Sequence, residues 1–264
     1  MPRYFNGNDN YEWDQHLDLG TTFTASVFVD FDDVTPTSND RVLHFVQSDD
    51  SFATQCQILA TNGDVQYVVA YSGTFLVRKT LSATAGLAAN VYAHLLVDWD
   101  GTTTGGRIFL DGTELAYDAL DQDGIGTAPT LDGDLILGSR GTIAGGPDQY
   151  HNGRLIEVGI WNRILGTGER QALAAGLSPL GIRNGLRHYV PMTRGAGGVS
   201  DRITGTAPTT ITGGAAESAS WGSGTRTVIP NQPRYYPDAV AGGTTPKGPL
   251  GHPLHGPFAG PIAA

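Results

Sequence analysis

The chain has 264 residues, 39% of them hydrophobic, which is enough apolar material for one sizeable core. It carries 26 acidic against 16 basic residues, a formal net charge of −10. An acidic body of this kind is repelled by nucleic acid and by anionic membrane surfaces. Cys56 is the one cysteine, so an internal disulfide framework is excluded, and no Asn-x-Ser/Thr sequon occurs.

In chain order, Phe23–Phe31 alternates so that Phe23, Ala25, Val27, Val29 and Phe31 share one face of a strand. The surroundings of Cys56, Ala53 to Leu59, are strand-like and make it a small packed hydrophobe. Turn signals recur at Asn62-Gly63, Asp100-Gly101, Asp111-Gly112 and Asp132-Gly133. From Leu155 to Ser178 the sequence reads as a buried strand, a Trp161-Asn162-Arg163 exit and a short helix. Strict alternation there sets Leu155, Glu157, Gly159 and Trp161 on one face and Ile156, Val158 and Ile160 on the other. Thr167 is the expected helix cap, with Leu173 packing back on the sheet. Many short strands with little helix predict an all-β, two-sheet sandwich.

After a stretch rich in Gly, Ala, Ser and Thr (193–229), the last 35 residues hold eight of the fifteen prolines and six glycines. Such a composition predicts an extended arm, 230–264, and not a helix or central strand. Its apolar residues Tyr235, Tyr236, Leu250, Leu254 and Phe258 are expected to be anchors that dock on a partner. Residues 1–170 carry a net charge of −14 and residues 171–264 one of +4, so this end also suits an acidic surface.

Four blocks in order resemble the laminin G-like, concanavalin A-type jelly roll. They are Tyr4 to Tyr11, with Asn6 at the usual Asp position; Val91 to Gly101, with Tyr92 replacing Trp; Arg107 to Glu114 with Leu135 to Ser139; and Trp161-Asn162-Arg163-x-Leu165 followed by Glu169. The resemblance implies a jelly roll over residues 1–192, closed by a strand in Gly185 to Met192, with one short helix. It also implies a Ca²⁺ site near the N-terminal loop, for which Asn8-Asp9-Asn10 and Asp49-Asp50 offer hard oxygens. Ile156 stands where the family reads Asp, so that site is weakened; these Asx residues are expected to bond their own turns, and no cofactor is expected.

Catalytic spacing is missing. The glucanase branch of the fold pairs carboxylates on one strand, whereas Glu157 and Glu114 each stand alone. No Gly-x-Ser-x-Gly elbow, phosphate-binding glycine loop or His-Glu-x-x-His occurs. His252 and His255 lie in the proline-rich arm and do not converge, while His44, His94 and His188 read as strand histidines and His16 and His151 as loop residues. An aromatic platform for a glycan is offered by Tyr11, Trp13 and Tyr150, against the alternative that Tyr11 belongs to the opening strand and Tyr150 covers the sandwich rim.

The start, Met-Pro-Arg-Tyr-Phe-Asn-Gly, has no apolar signal core. With this fold, that leads to the expectation of a non-enzymatic phage virion protein made in the host cytoplasm. It would decorate a capsid or tail, dock on the major capsid protein or its own copies through the arm, and form trimers by analogy. The alternative is a glycan-binding adhesion module.

Overall fold

The computed structural model describes residues 3–6, 10–13, 19–47, 52–60, 63–80, 87–118, 121–140, 149–192 and 200–212. The arm and its five anchors lie outside these, as do the acidic pairs Asn8-Asp9 and Asp49-Asp50.

Fourteen strands are described: β1 (Arg3–Asn6), β2 (Asn10–Trp13), β3 (Phe23–Phe31), β4 (Asp40–Val46), β5 (Phe52–Ile58), β6 (Val65–Ala70), β7 (Phe75–Lys79), β8 (Ala93–Trp99), β9 (Gly106–Leu110), β10 (Thr113–Glu114), β11 (Leu135–Leu137), β12 (Asn152–Trp161), β13 (Leu186–Val190) and β14 (Thr210–Thr212). One helix, α1 (Thr167–Ala174), follows β12. The strands form two antiparallel sheets, one ordered β1-β12-β3-β8-β9-β10 with β13 also on β12, the other β14-β2-β11-β4-β5-β6-β7. Between the sheets lies a core that includes Phe23, Ala25, Val27, Val29 and Phe31, the face that alternation assigned to β3. Cys56 is buried in it, which pushes its thiol up to about 12 and keeps it from acting as a nucleophile.

Turn chemistry follows the sequence. Asp111 and Gly112, with φ of 49° and 79°, make the two-residue link of the β9–β10 hairpin, where both residues need the left-handed region that Asp and Gly tolerate best.

β12 departs from the alternation expected of it. Ile156 pairs with Phe28 and Gly159 with Ser26, so Glu157 and Val158 face Val27 alone in a bulge, with Glu157 at φ 56°. The extra residue reverses the parity of the strand. Leu155, Val158 and Ile160 therefore share the inter-sheet core, while Trp161 faces the opposite side. The bulge also divides the strand between two neighbours: β1 pairs with its first half and β13 with its second.

On the outer side, Trp161, Leu165, Leu173, Ile182, Leu186 and Tyr189 pack with Leu96 and Phe109 as a second cluster beneath α1. Leu173 packs back as expected, but the cap differs. Gly166 is the N-cap, and its N–H donates to the Glu169 carboxylate at 2.8 Å, which also takes two hydrogen bonds from Arg163. Thr167 is instead the first helical residue, its hydroxyl accepting from Arg170. A glycine reaches the extended cap geometry freely, and the carboxylate three residues on supplies the missing acceptor.

The open edge of the second sheet is closed by charge. Tyr117, Gln122 and Ile125 bridge to Thr80, Val77 and Thr74 along β7. Lys79 Nζ lies 2.9 Å from both Asp64 and Asp118, and Arg78 reaches Asp123 at 3.0 Å. This covers strand N–H and C=O groups that would otherwise invite another chain. At the other edge, β14 adds to β2, so the packed body runs to Thr212.

Candidate functional site

A cleft of about 270 Å³ opens where the loop between β3 and β4 meets the segment entering β12. Asp33, Pro36, Thr37, Ser38, Asp40, Gln149, Tyr150 and Asn152 line it. Its back wall is built from residues far apart in sequence. Asp40 and His151 are both buried, with Asp40 Oδ1 2.6 Å from His151 Nδ1, and Asp40 Oδ2 accepts from the Asn152 N–H at 3.1 Å. The imidazole stands edge-on to Phe5 and Phe31, at ring distances of 5.6 and 5.2 Å. Such packing fixes Asp40 and the start of β12 in one arrangement.

In front of this wall the groups are open. Among the described residues the hydroxyls of Thr37, Ser38 and Tyr150 have no hydrogen-bond partner, and Tyr150 is half-buried. Asp33 Oδ1 accepts from the N–H and hydroxyl of Thr35, an Asx turn that orients the carboxylate. Gln149 takes the left-handed conformation at φ 52°, and its side-chain oxygen accepts from Arg41.

Both partners of this pair are turned inward. His151 Nε2 is buried beside the phenyl rings with no hydrogen-bond partner among the described residues, and Asp40 uses both oxygens internally. Elsewhere Glu157 is half-buried; desolvation raises its pKa, and it accepts from the Tyr189 hydroxyl at 2.9 Å. Glu114 accepts from Tyr117. Among the described residues no three His, Cys, Asp or Glu side chains are grouped to hold a metal.

A second cleft, of about 540 Å³, lies between β9–β10 and the ribbon along β7, lined by Arg78, Arg107, Glu114, Tyr117, Asp121 and Asp123 among others. Its charges are spent on one another: Arg107 forms two hydrogen bonds to buried Asp98, and Arg78 bonds Thr104, Gly106 and Asp123. It is a structural lock and offers a ligand little.

Of the residues expected to contact a glycan, the structure brings one to the open cleft, Tyr150. Tyr11 is a correction: it is 1% exposed, inside the core, its ring edge-on to Phe5 at 5.6 Å. Alternation in a strand flanked by β11 and β14 turns it inward. Trp13 lies in β2 opposite Leu135, and its side chain falls outside the described residues. His151, read as a loop residue without a role, is the wall's anchor. No local signal marks it, since its partner Asp40 is 111 residues away. Ile156, at the family's Asp position, is buried.

Two antiparallel sheets with a helix packed after the Trp161 strand decide the family, together with the sequence profile of the concanavalin A-like lectin/glucanases superfamily, which matches residues 5–169. The chain belongs to it. Solved structures are similar to this concanavalin A-like domain. One is a protein from Bacteroides ovatus described as a putative carbohydrate binding protein, 18% identical with a TM-score of 0.53, the match covering 80% of this chain and 58% of that one. A heptameric SAP-like pentraxin from Limulus polyphemus is 11% identical with a TM-score of 0.49, over 65% of this chain and 80% of that one. Domains LG4-5 of the mouse laminin α1 chain are 9% identical with a TM-score of 0.42, over 60% and 40%. At these identities the likeness concerns fold. No curated protein matches the sequence.

Proposed function

We propose that this concanavalin A-like domain is a non-catalytic glycan-binding module that seats a saccharide in the Tyr150 cleft. The observation that carries the reading is three unpartnered hydroxyls beside a half-buried aromatic ring, in a cleft whose wall is rigid. A sugar ring presents an apolar face and a rim of hydroxyls, so it needs such a mixture of ring and hydrogen-bonding groups. Superfamily membership and the likeness to a protein described as carbohydrate-binding support it. The internal hydrogen bonds of Asp40, Glu157 and Glu114 support the absence of hydrolysis. Titration against a panel of neutral oligosaccharides is expected to find a ligand that Tyr150→Ala weakens about tenfold, the equivalent of one lost ring contact. Equal binding by the variant, or hydrolysis of the bound oligosaccharide, would remove this reading.

A second proposal concerns the end of the chain: the arm from Pro230, with Tyr235, Tyr236, Leu250, Leu254 and Phe258, attaches the domain to a virion through the major capsid protein or sister copies. The supporting observation is the concentration of prolines around apolar anchors. A chain ending at Arg226 is expected to melt cooperatively, keep any binding to sugar and fail to join particles. Full incorporation of that chain into particles refutes the docking role.

A further inference from the structure

We infer that the Tyr150 cleft discriminates its ligand by charge, favouring a saccharide that carries a free amine and rejecting uronate or sulfate sugars. This rests on the glycan-binding reading and adds to it the ligand class.

Two formal charges line the cleft, Asp33 and Asp40, and neither Lys nor Arg lines it. Two guanidiniums stand behind the lining: Arg41 donates to Gln149, and Arg154 is paired with buried Asp30 at 2.5 Å. Asp40 is a fixed carboxyl group in the wall, its oxygens held by His151 and Asn152. Asp33 differs in being exposed and only half used. Its Oδ1 is pinned by Thr35, which orients the carboxylate, while Oδ2 has no partner among the described residues. A single oriented carboxylate oxygen beside unpartnered hydroxyls suits an ammonium on a sugar ring, which needs one anionic acceptor and neutral acceptors around it. The same arrangement sets like charge against a uronate. Residues 1–170 add a wider field of the same sign, at net −14.

At contact distance through water, one such pair is worth about a fivefold change in affinity, favourable for the amine and unfavourable for the acid. The test is calorimetric titration of the whole chain, at low ionic strength, with an N-acetylated chito-oligosaccharide, the same oligomer deacetylated, and an oligogalacturonate of equal length. The deacetylated oligomer is expected to bind about fivefold tighter than the acetylated one and the galacturonate weakest. The gap should close in about 1 M salt, where the Debye length is about 3 Å. In Asp33→Asn the ratio of amine to neutral affinity should fall to near one. A ratio that persists in Asp33→Asn comes from the acidic body as a whole and overturns the assignment to the cleft. Equal affinities, or a preference for galacturonate, overturn the charge selection while leaving a glycan-binding module in place. Failure of all three oligomers to bind removes the glycan reading and this inference with it.

Discussion

Trp161→Ala is expected to cost about 3–5 kcal/mol of folding stability, among the largest effects of a single change in this domain. The indole is fully buried in the cluster beneath α1, and its Nε1–H donates to the Ile182 carbonyl at 2.7 Å. Truncation therefore leaves a large void and also strands a buried acceptor, which adds its own desolvation cost. Leu165, Leu173 and Ile182 lose their shared contact, so α1 and the turn before β13 should loosen together. Such a loss is a large part of ordinary domain stability and should leave little soluble protein. Denaturant unfolding of wild type and variant measures it. A variant melting within a degree or two of wild type would contradict the placement of the β12 exit.

The second large effect is expected at Asp201. Its carboxylate accepts from the backbone N–H groups of Tyr189, Ile203 and Thr204 and from the Thr204 hydroxyl, and lies 3.0 Å from His188 Nδ1, with both side chains fully buried. It fastens the turn that leads to β14 onto β13, and so links an edge of one sheet to the other. Asp201→Ala leaves several buried donors without an acceptor and is expected to cost about 3–5 kcal/mol, as when one partner of a buried pair is removed.

The pH dependence follows from the same contacts. Burial alone would raise the carboxyl pKa, but the nearby His188 ring and hydrogen bonds from Thr204 and the Tyr189 backbone outweigh it and hold Asp201 well below the ordinary carboxylate range. A depressed folded-state value means the stabilisation is present above the unfolded value of about 3.9 and is lost as the pH falls below it. The stability difference between wild type and Asp201→Asn should thus shrink as the pH falls below about 4. Subtraction cancels Asp30, Asp98 and Glu157, whose values burial raises. A difference that grows in acid would show that the carboxylate is not the group held.

Much of the fold was legible because its causes are local. In β3 an apolar residue at every second position is sufficient to define a core face, and in Asp111-Gly112 the turn conformation is written in the two residues that tolerate it. Leu173 could be read as packing back on the sheet because the short helix that follows the strand places it there. The same rule failed in β12, where a single bulged residue at Glu157 reverses parity and no residue type announces it. The glycan platform expected at Tyr11 failed for another reason: the ring is part of the core, in a strand with partners on both sides.

The candidate site was legible only in Tyr150. Sequence by itself determined the all-β class, the order of its strands and turns, the acidic body, and the proline-rich composition of its last 35 residues, since each follows from periodicity or composition along the chain. Tertiary structure alone decided that Asp40 meets His151, that Arg41 holds Gln149, that the bulge turns Trp161 beneath the helix, and that Asp201 ties β13 to the path of β14. Those contacts join residues 12 to 111 positions apart. Their energies depend on which strands become neighbours across two sheets, and no window of local sequence carries that information.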